Sequence, residues 1–186
     1  MVATARAMVT EAPTPAPAAG LPSPREIFQE YGPYIWRVLR RLGVPESDAD
    51  DVCQEVFMAV HKQLASFEGR SSLRTWLYAI ALRRASSYRR RAHRRHETTT
   101  ATPPEQVVED DPLRELEKRR ARETLDRLLD TLDDKSREVF VLYEIEQLRM
   151  PEVAEVLGHP LQTCYGRLRQ ARRDLKAAAQ ELGGRA

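Results

Sequence analysis

Apolar positions recur at three- and four-residue steps along most of the chain, the spacing of helices with one packed face. Ile27, Ile35, Leu39 and Leu42 form the first stripe. Ser23 is placed to cap that helix, Pro24 to occupy its first position and Glu26 to close a capping box. Gly32-Pro33 predicts a kink or break inside it, and Gly43 with Pro45 its end. Asp48, Asp50 and Asp51 open a second helix, where acids suit the positive end of the dipole. Its stripe is Val52, Val56, Phe57, Val60 and Leu64. The stretch FEGRSS, Phe67 to Ser72, reads as a loop, and Ser71 or Ser72 can cap a third helix carrying Leu73, Trp76, Leu77 and Ile80. That helix runs into RRASSYRRRAHRR, where Arg83, Arg84, Arg89, Arg90, Arg91, Arg94 and Arg95 lie with no acid among them.

At His96 the pattern stops. HETTTATPPEQVVEDDP, residues 96–112, is polar, acidic and proline-containing, and reads as a flexible linker. Helical spacing resumes near Leu113 with Leu116, Leu125, Leu128, Leu129 and Leu132. A further helix is expected over Asp133 to Ile145, with Val139, Phe140, Leu142 and Tyr143. Then comes PEVAEVLGHPLQTCYGRLRQARRDL, residues 151–175. Val153, Ala154, Val156 and Leu157 give a short helix that Gly158 ends and Pro160 prevents from continuing. In the last helix Cys164, Leu168, Ala171 and Leu175 share one face. Tyr165, Arg169, Arg172, Arg173 and Lys176 fall towards the other, with Gly166 and Gln170 beside them. No alternating strand pattern or internal repeat occurs. The expected fold is all-α: two small helical domains, 23–95 and 113–182, joined by the acidic linker. The Ala/Pro/Thr-rich residues 1–22 cannot bury a core and are expected to be disordered.

Composition narrows the class without naming it. Hydrophobic residues make up 41% of the 186 and aromatics 6%, so the core must be built mainly from Leu, Val, Ile and Ala. A net charge of +2 is too small to argue for nucleic acid, and the distribution of charge matters more. Cys53 and Cys164 sit on apolar faces at a spacing that fits neither a metal clip nor a disulfide framework. No apolar run reaches membrane-span length and the start has no signal-peptide pattern, so a cytoplasmic protein without membrane insertion is expected. His93, His96 and Glu97 are the nearest thing to a metal set, but no third ligand is sensibly spaced and the arginines around them repel a cation. No catalytic residue, metal or cofactor is expected.

A short helix, a glycine-containing turn and a longer helix with a basic outer face is the helix-turn-helix plan. The first turns of the second helix can enter a major groove while its arginines meet phosphates. Gln162, Thr163, Tyr165 and Gly166 would lie nearest the bases, Gly166 letting the backbone come close. The competing reading of this stretch is an amphipathic helix with a solvated face. The arginine run is a second basic surface, continuous with a packed helix. Trp76 lies on the apolar stripe and reads as core, whereas Phe67, Arg70 and Ser71 are better placed to touch an unstacked base.

Two ordered motifs carry a resemblance. Asp-Asp-Val-x-Gln-Glu-Val-Phe from Asp50, then Phe-x-Gly-Arg-Ser-Ser-x-Arg-Thr-Trp-Leu-Tyr-x-Ile-Ala from Phe67, resembles region 2 of the extracytoplasmic-function (ECF) sigma factors of bacterial RNA polymerase. Arg-Glu-Val-Phe from Arg137, and a helix-turn-helix ending Arg-Leu-x-x-Ala-Arg, resemble region 4 of the same family. The resemblance implies a protein that binds core RNA polymerase and directs promoter-specific initiation. Region 2 would dock on the clamp of the largest subunit and hold the melted −10 element. Region 4 would read the −35 element and dock on the flap of the second-largest subunit. Carried over by motif, Asp51, Gln54 and Glu55 would face the clamp. Phe67, Arg70, Ser71, Arg74, Arg84, Arg90 and Arg91 would serve the −10 strand. Thr163, Tyr165, Gly166, Arg167 and Arg169 would approach the −35 duplex, with Arg172 and Arg173 on phosphate. Many relatives are held by an anti-sigma factor, which adds a candidate partner.

The chain departs from the family pattern at Arg83, Ser87, Met150, Tyr165 and Gly166, so its promoter sequence is expected to be unusual. Two turns of duplex measure about 70 Å, far more than a free coil of the linker's length averages. Straddling a promoter therefore requires a linker held extended, as it would be in a polymerase channel where its acids mimic nucleic acid. The alternative from another class is a free-standing helix-turn-helix regulator, for which the first domain would have no purpose.

Overall fold

The computed structural model describes residues 21–95 and 112–183, and every regular element in them is helical. The expected linker, except Pro112, and nearly all of the N-terminal extension lie outside the described residues. Helix α1 spans Pro24–Arg41, α2 Glu46–Gln63 and α3 Leu73–Arg95. Helix α4 spans Pro112–Asp130, α5 Asp134–Phe140, α6 Met150–Leu157 and α7 Leu161–Gly183.

The start of α1 follows the sequence signal. Ser23 caps it, and the Glu26 carboxylate accepts from the Ser23 backbone N–H at 2.7 Å. The helix does not break at Gly32-Pro33 but runs through to Arg41. An internal proline costs about 3 kcal/mol. Ile27 on one side of it, and Ile35, Val38 and Leu39 on the other, are all 0% exposed. Each such burial contributes roughly 1.5–3 kcal/mol, so keeping both halves of the helix on one core outweighs the proline. Gly43, at φ +89°, then reverses the chain into Pro45 and α2.

Helix α1 packs against α2 and α3, and α2 against α3, with Val52, Val56, Val60, Leu77 and Ile80 between them. In the second half α5 and α6 pack on α7 through Val139, Val153, Cys164, Leu168 and Ala171. The two halves also meet: α3 lies against α6 and α1 against α4. Their buried apolar residues form one contiguous cluster.

The expected helix over Asp133 to Ile145 is more particular in the structure. Asp133 caps α5 by accepting from the N–H groups of Lys135 and Ser136 at 3.0 and 3.1 Å. After Phe140 the backbone widens into a π-helical turn, Val141–Ile145, in which Glu146 N–H donates to the Val141 carbonyl at 2.9 Å. Gln147 follows at φ +58°, a left-handed conformation uncommon outside glycine. Together these turn Glu146 inward, where it is 3% exposed.

Candidate nucleic-acid interface

Three surfaces carry the residues singled out in the sequence. The first is the loop before α3 and the exposed face of that helix. A 3-10 turn, Leu64–Ser66, ends α2 and releases the loop, which Gly69 turns at φ +69°. Ser72 is the residue that caps α3: its hydroxyl accepts from Thr75 N–H at 3.0 Å. Phe67 and Trp76 are both half-buried and pack on each other, ring centroids 5.1 Å apart, so Trp76 is not the fully buried core residue that the apolar stripe led one to expect. Arg70 is open to solvent beside Glu68, and Ser71 is half-buried. Further along, Arg84 is half-buried while Arg90 and Arg91 are exposed. Arg90 donates to the hydroxyls of Ser86 and Ser87 at 3.2 and 3.0 Å, and Arg91 reaches Glu55 at 3.1 Å. Exposed pairs of this kind stabilise by under ~1 kcal/mol, so a phosphate competes readily for such arginines. The side chains of Arg94 and Arg95 lie outside the described residues.

Arg74 differs from these. Its guanidinium lies over the ring of Tyr34, donates from Nε to the hydroxyls of Tyr34 and Tyr78 at 3.1 and 3.2 Å, and is 3.5 Å from the Glu146 carboxylate. Burial, then the hydrogen bond to Glu146, pushes the Tyr34 hydroxyl well above the usual phenol range, so it stays a donor.

The second surface is α7. Gly158, at φ +64°, ends α6, and His159 N–H returns to the Ala154 carbonyl at 3.0 Å. Helix α6 is capped at Arg149, whose backbone N–H donates to Glu152 at 2.8 Å. Met150, one of the departures from the family pattern, is buried in the first turn. Along α7, Tyr165 is 44% exposed, Gly166 and Arg169 are exposed and Thr163 is half-buried. A Cβ at Gly166 would meet nothing within 4 Å, so the protein's own packing does not require glycine there. Arg173 projects outward, and Arg172 donates from Nε to Glu144 at 2.7 Å. Arg167 stands apart: it is half-buried, and one guanidinium nitrogen is buried without a hydrogen bond. Burial pushes the nearby Glu138 carboxyl up, and the charges of Arg89 and then Arg167 only partly offset this.

The third surface is α2. Asp51 and Gln54 are exposed, and Glu55 is half-buried and drawn to Arg91. Gln54 borders an apolar groove between α1 and α2 lined by Phe28, Cys53, Phe57 and Met58. Phe28 is 53% and Met58 55% exposed, which sequence reasoning missed. Their signal was available: both are large apolar residues lying off the packed stripe of an amphipathic helix.

The cysteines are buried and free. Burial pushes the Cys53 thiol up to about 11, and the Cys164 thiol up as well, so neither is a ready nucleophile at neutral pH. Among the described residues no group of three or more His, Cys, Asp or Glu side chains is placed to hold a metal. No described helix is long and apolar enough to cross a membrane.

Comparison with known proteins matches both halves. Residues 27–95 match the Sigma-70 region 2 family and residues 122–175 the Sigma-70, region 4 family. The chain is 34% identical over 154 residues to RNA polymerase sigma factor YlaC of Bacillus subtilis, covering 82% of this chain and 87% of YlaC. It is 33% identical to RNA polymerase sigma factor CnrH of Cupriavidus metallidurans, covering 82% and 84%. The solved structure of CnrH in complex with the cytosolic domain of CnrY aligns with TM-score 0.61 at 29% identity, covering 85% of this chain and 88% of that one. The sigma factor RpoE of Bartonella quintana, solved with the anti-sigma factor NepR, shares the fold at TM-score 0.62 and 21% identity, covering 84% and 96%. With two basic helical surfaces on one all-α chain and relatives matched over most of their length, the chain belongs to the sigma-70 family, as an ECF sigma factor of bacterial RNA polymerase.

Proposed function

We propose that the chain acts as a dissociable, non-catalytic specificity subunit in the bacterial cytoplasm, with its contacts divided among the three surfaces. The exposed face of α2, Asp51 and Gln54 with Glu55 at its edge, docks on the polymerase clamp, and the neighbouring Phe28 and Met58 add apolar area. Phe67, Arg70, Ser71, Arg74, Arg84, Arg90 and Arg91 serve the melted −10 strand, the aromatic for stacking and the arginines for phosphate. Thr163, Tyr165, Gly166 and Arg169 meet the −35 duplex, with Arg172 and Arg173 on its phosphates. Arg167, turned towards α5, acts there mainly by orienting α7. The domains are residues 23–95 and 113–182, joined by 96–112.

One observation carries this reading. Two separate basic surfaces, one loop-and-helix and one helix-turn-helix, share a chain with an exposed polar and apolar face that neither needs. A free-standing duplex regulator would use α7 alone. Since CnrH has been solved with the cytosolic domain of CnrY, an inhibitory protein partner is part of the proposal.

The test is multi-round transcription with purified core RNA polymerase, with and without the chain, on genomic fragments that include its own upstream region. Discrete start sites that depend on the chain are expected. No transcripts together with no co-elution with core polymerase would overturn the assignment in favour of the free-standing regulator.

A further inference from the structure

Helix α7 begins with an apolar side chain that the fold leaves outside. Leu161, the first residue of the helix, is 42% exposed, and Tyr165, one turn on, is 44% exposed. Residues four apart on a helix are neighbours, about 5–6 Å apart at Cβ. The two therefore form an apolar strip on a helix whose other exposed side chains include Gln162, Arg169 and Arg173. The inner face is already filled, with Cys164, Leu168 and Ala171 buried at 0%, 3% and 0% exposure. A single exposed leucine is ordinary on a protein surface. What distinguishes this one is where it points.

Each Cα–Cβ bond of a helix tilts towards the N-terminus, so a side chain at the first position projects past the end of the helix. Gly158, at φ +64°, and Pro160 separate this end of α7 from α6, which makes it the tip of the helix-turn-helix. In that plan the N-terminal residues of the second helix are the ones that reach base edges in the major groove. The base edges there offer hydrogen-bond donors and acceptors, and the one apolar group among them is the 5-methyl of thymine. Leucine carries neither donor nor acceptor. Against any other base edge it covers polar groups without pairing them, which is unfavourable. Against a thymine methyl it buries apolar surface on both sides.

We propose that Leu161 is a specificity-determining residue: in the first turn of α7, flanked by Tyr165, it packs on the 5-methyl group of a thymine in the −35 element. This rests on the assignment of α7 to the −35 duplex. It adds an apolar base contact that the arginines of α7 cannot supply. The contact selects thymine over cytosine and over uracil, neither of which has the methyl group.

The test uses the full-length chain in complex with core polymerase, on the promoter duplex that its own start sites define. Each thymine of the −35 element, on either strand, is replaced in turn by deoxyuridine, which removes only the 5-methyl group. The readout is the ratio of thymine to deoxyuridine affinity within each variant, so a general loss of binding cancels. For the wild-type chain one position should show a ratio of about three to five, the value of burying one methyl-sized group. Leu161→Ala should bring that ratio to about one and leave the ratios at other thymines unchanged. Leu161→Met, which keeps the apolar reach, should retain most of it. A −35 element without thymine, no position with a methyl effect, or an effect that survives in Leu161→Ala would overturn the proposal. If no transcript depends on the chain, the same scan runs on a duplex that the chain alone selects from a random-sequence pool. A methyl effect lost in Leu161→Ala then supports the contact while the sigma assignment falls, and failure to select any duplex overturns both.

Discussion

Arg137 of α5 donates from Nε to the carbonyl of Arg41, the last residue of α1, at 2.7 Å. The last carbonyls of a helix have no partner within it, and here an arginine 96 positions away supplies one. Arg137 is 6% exposed, and Asp130 holds its other arm at 2.9 Å. The contact makes the end of α1 depend on the second half of the chain.

Removing that arginine should therefore be felt in both halves. Arg137→Ala is expected to lower stability by roughly 1.5–3 kcal/mol, the range for a charge-assisted hydrogen bond, or about 3–12 °C in Tm for a chain of this size. Arg137→Lys should recover only part, because an ammonium cannot reach Asp130 and the Arg41 carbonyl with a rigid fork. Thermal denaturation followed by circular dichroism measures both, and full recovery by lysine would refute the bidentate account.

Gly43 should resist substitution for two reasons. It has φ +89°, and a Cβ there would come within 3.0 Å of the Arg137 guanidinium. Gly43→Ala is expected to cost more than ~1 kcal/mol. Gly166→Ala should do the reverse, since nothing lies within 4 Å and α7 gains helix propensity, up to ~1 kcal/mol. The same change should weaken binding to a −35 duplex if the backbone approaches DNA there. A variant that melts higher yet transcribes as well as wild type would remove Gly166 from the interface.

Arg172→Ala should weaken duplex binding evenly across sequences and reduce the salt slope by about one. Tyr165→Ala should instead reorder the ranking of −35 variants. Promoter assays over a panel of −35 sequences and salt concentrations separate the two, and an unchanged ranking for Tyr165→Ala excludes it from base contact.

Asp51→Ala with Gln54→Ala, both exposed, should leave the unfolding free energy within about ±1 kcal/mol of wild type. Affinity for core polymerase should fall. Unaltered co-elution with core would remove this face of α2 from the clamp contact.

Asp133 gives a pH signature. Burial pushes its carboxyl up, but hydrogen bonds from Ser136 and Lys135 outweigh this and hold it below the usual 3.8. A lowered folded value means stability that is present above pH ~4 and lost as pH falls through the folded value. Asp133→Asn keeps the cap and should flatten that acid limb, while Asp133→Ala should cost about 1 kcal/mol at neutral pH. Melting curves from pH 2 to 7 test the difference.

Local chemistry fixed much of this molecule in advance. The Ser23–Glu26 capping box, the loop from Phe67 to Ser72, the Gly158 break and the packed face of α7 each depend on residues a few positions apart, so spacing and capping rules reveal them. The exposure of Tyr165 and Arg169 was legible for the same reason, as the outer face of a helix follows once its inner face is known. Continuity of α1 through Pro33 was not, because only the shared core on both sides outweighs the local cost. The π-helical turn, the inward Glu146 and the meeting of Arg74 and Arg172 on neighbouring acids were hidden too. A carboxylate in a polar-looking stretch gives no sign of burial until a different part of the chain brings Tyr34, Tyr78 and Arg41 to it. Helix positions and faces could be read from residue spacing, because their energies are local. The tertiary structure alone decided how the two halves close on each other, because that depends on desolvating charges whose partners lie far apart in the chain.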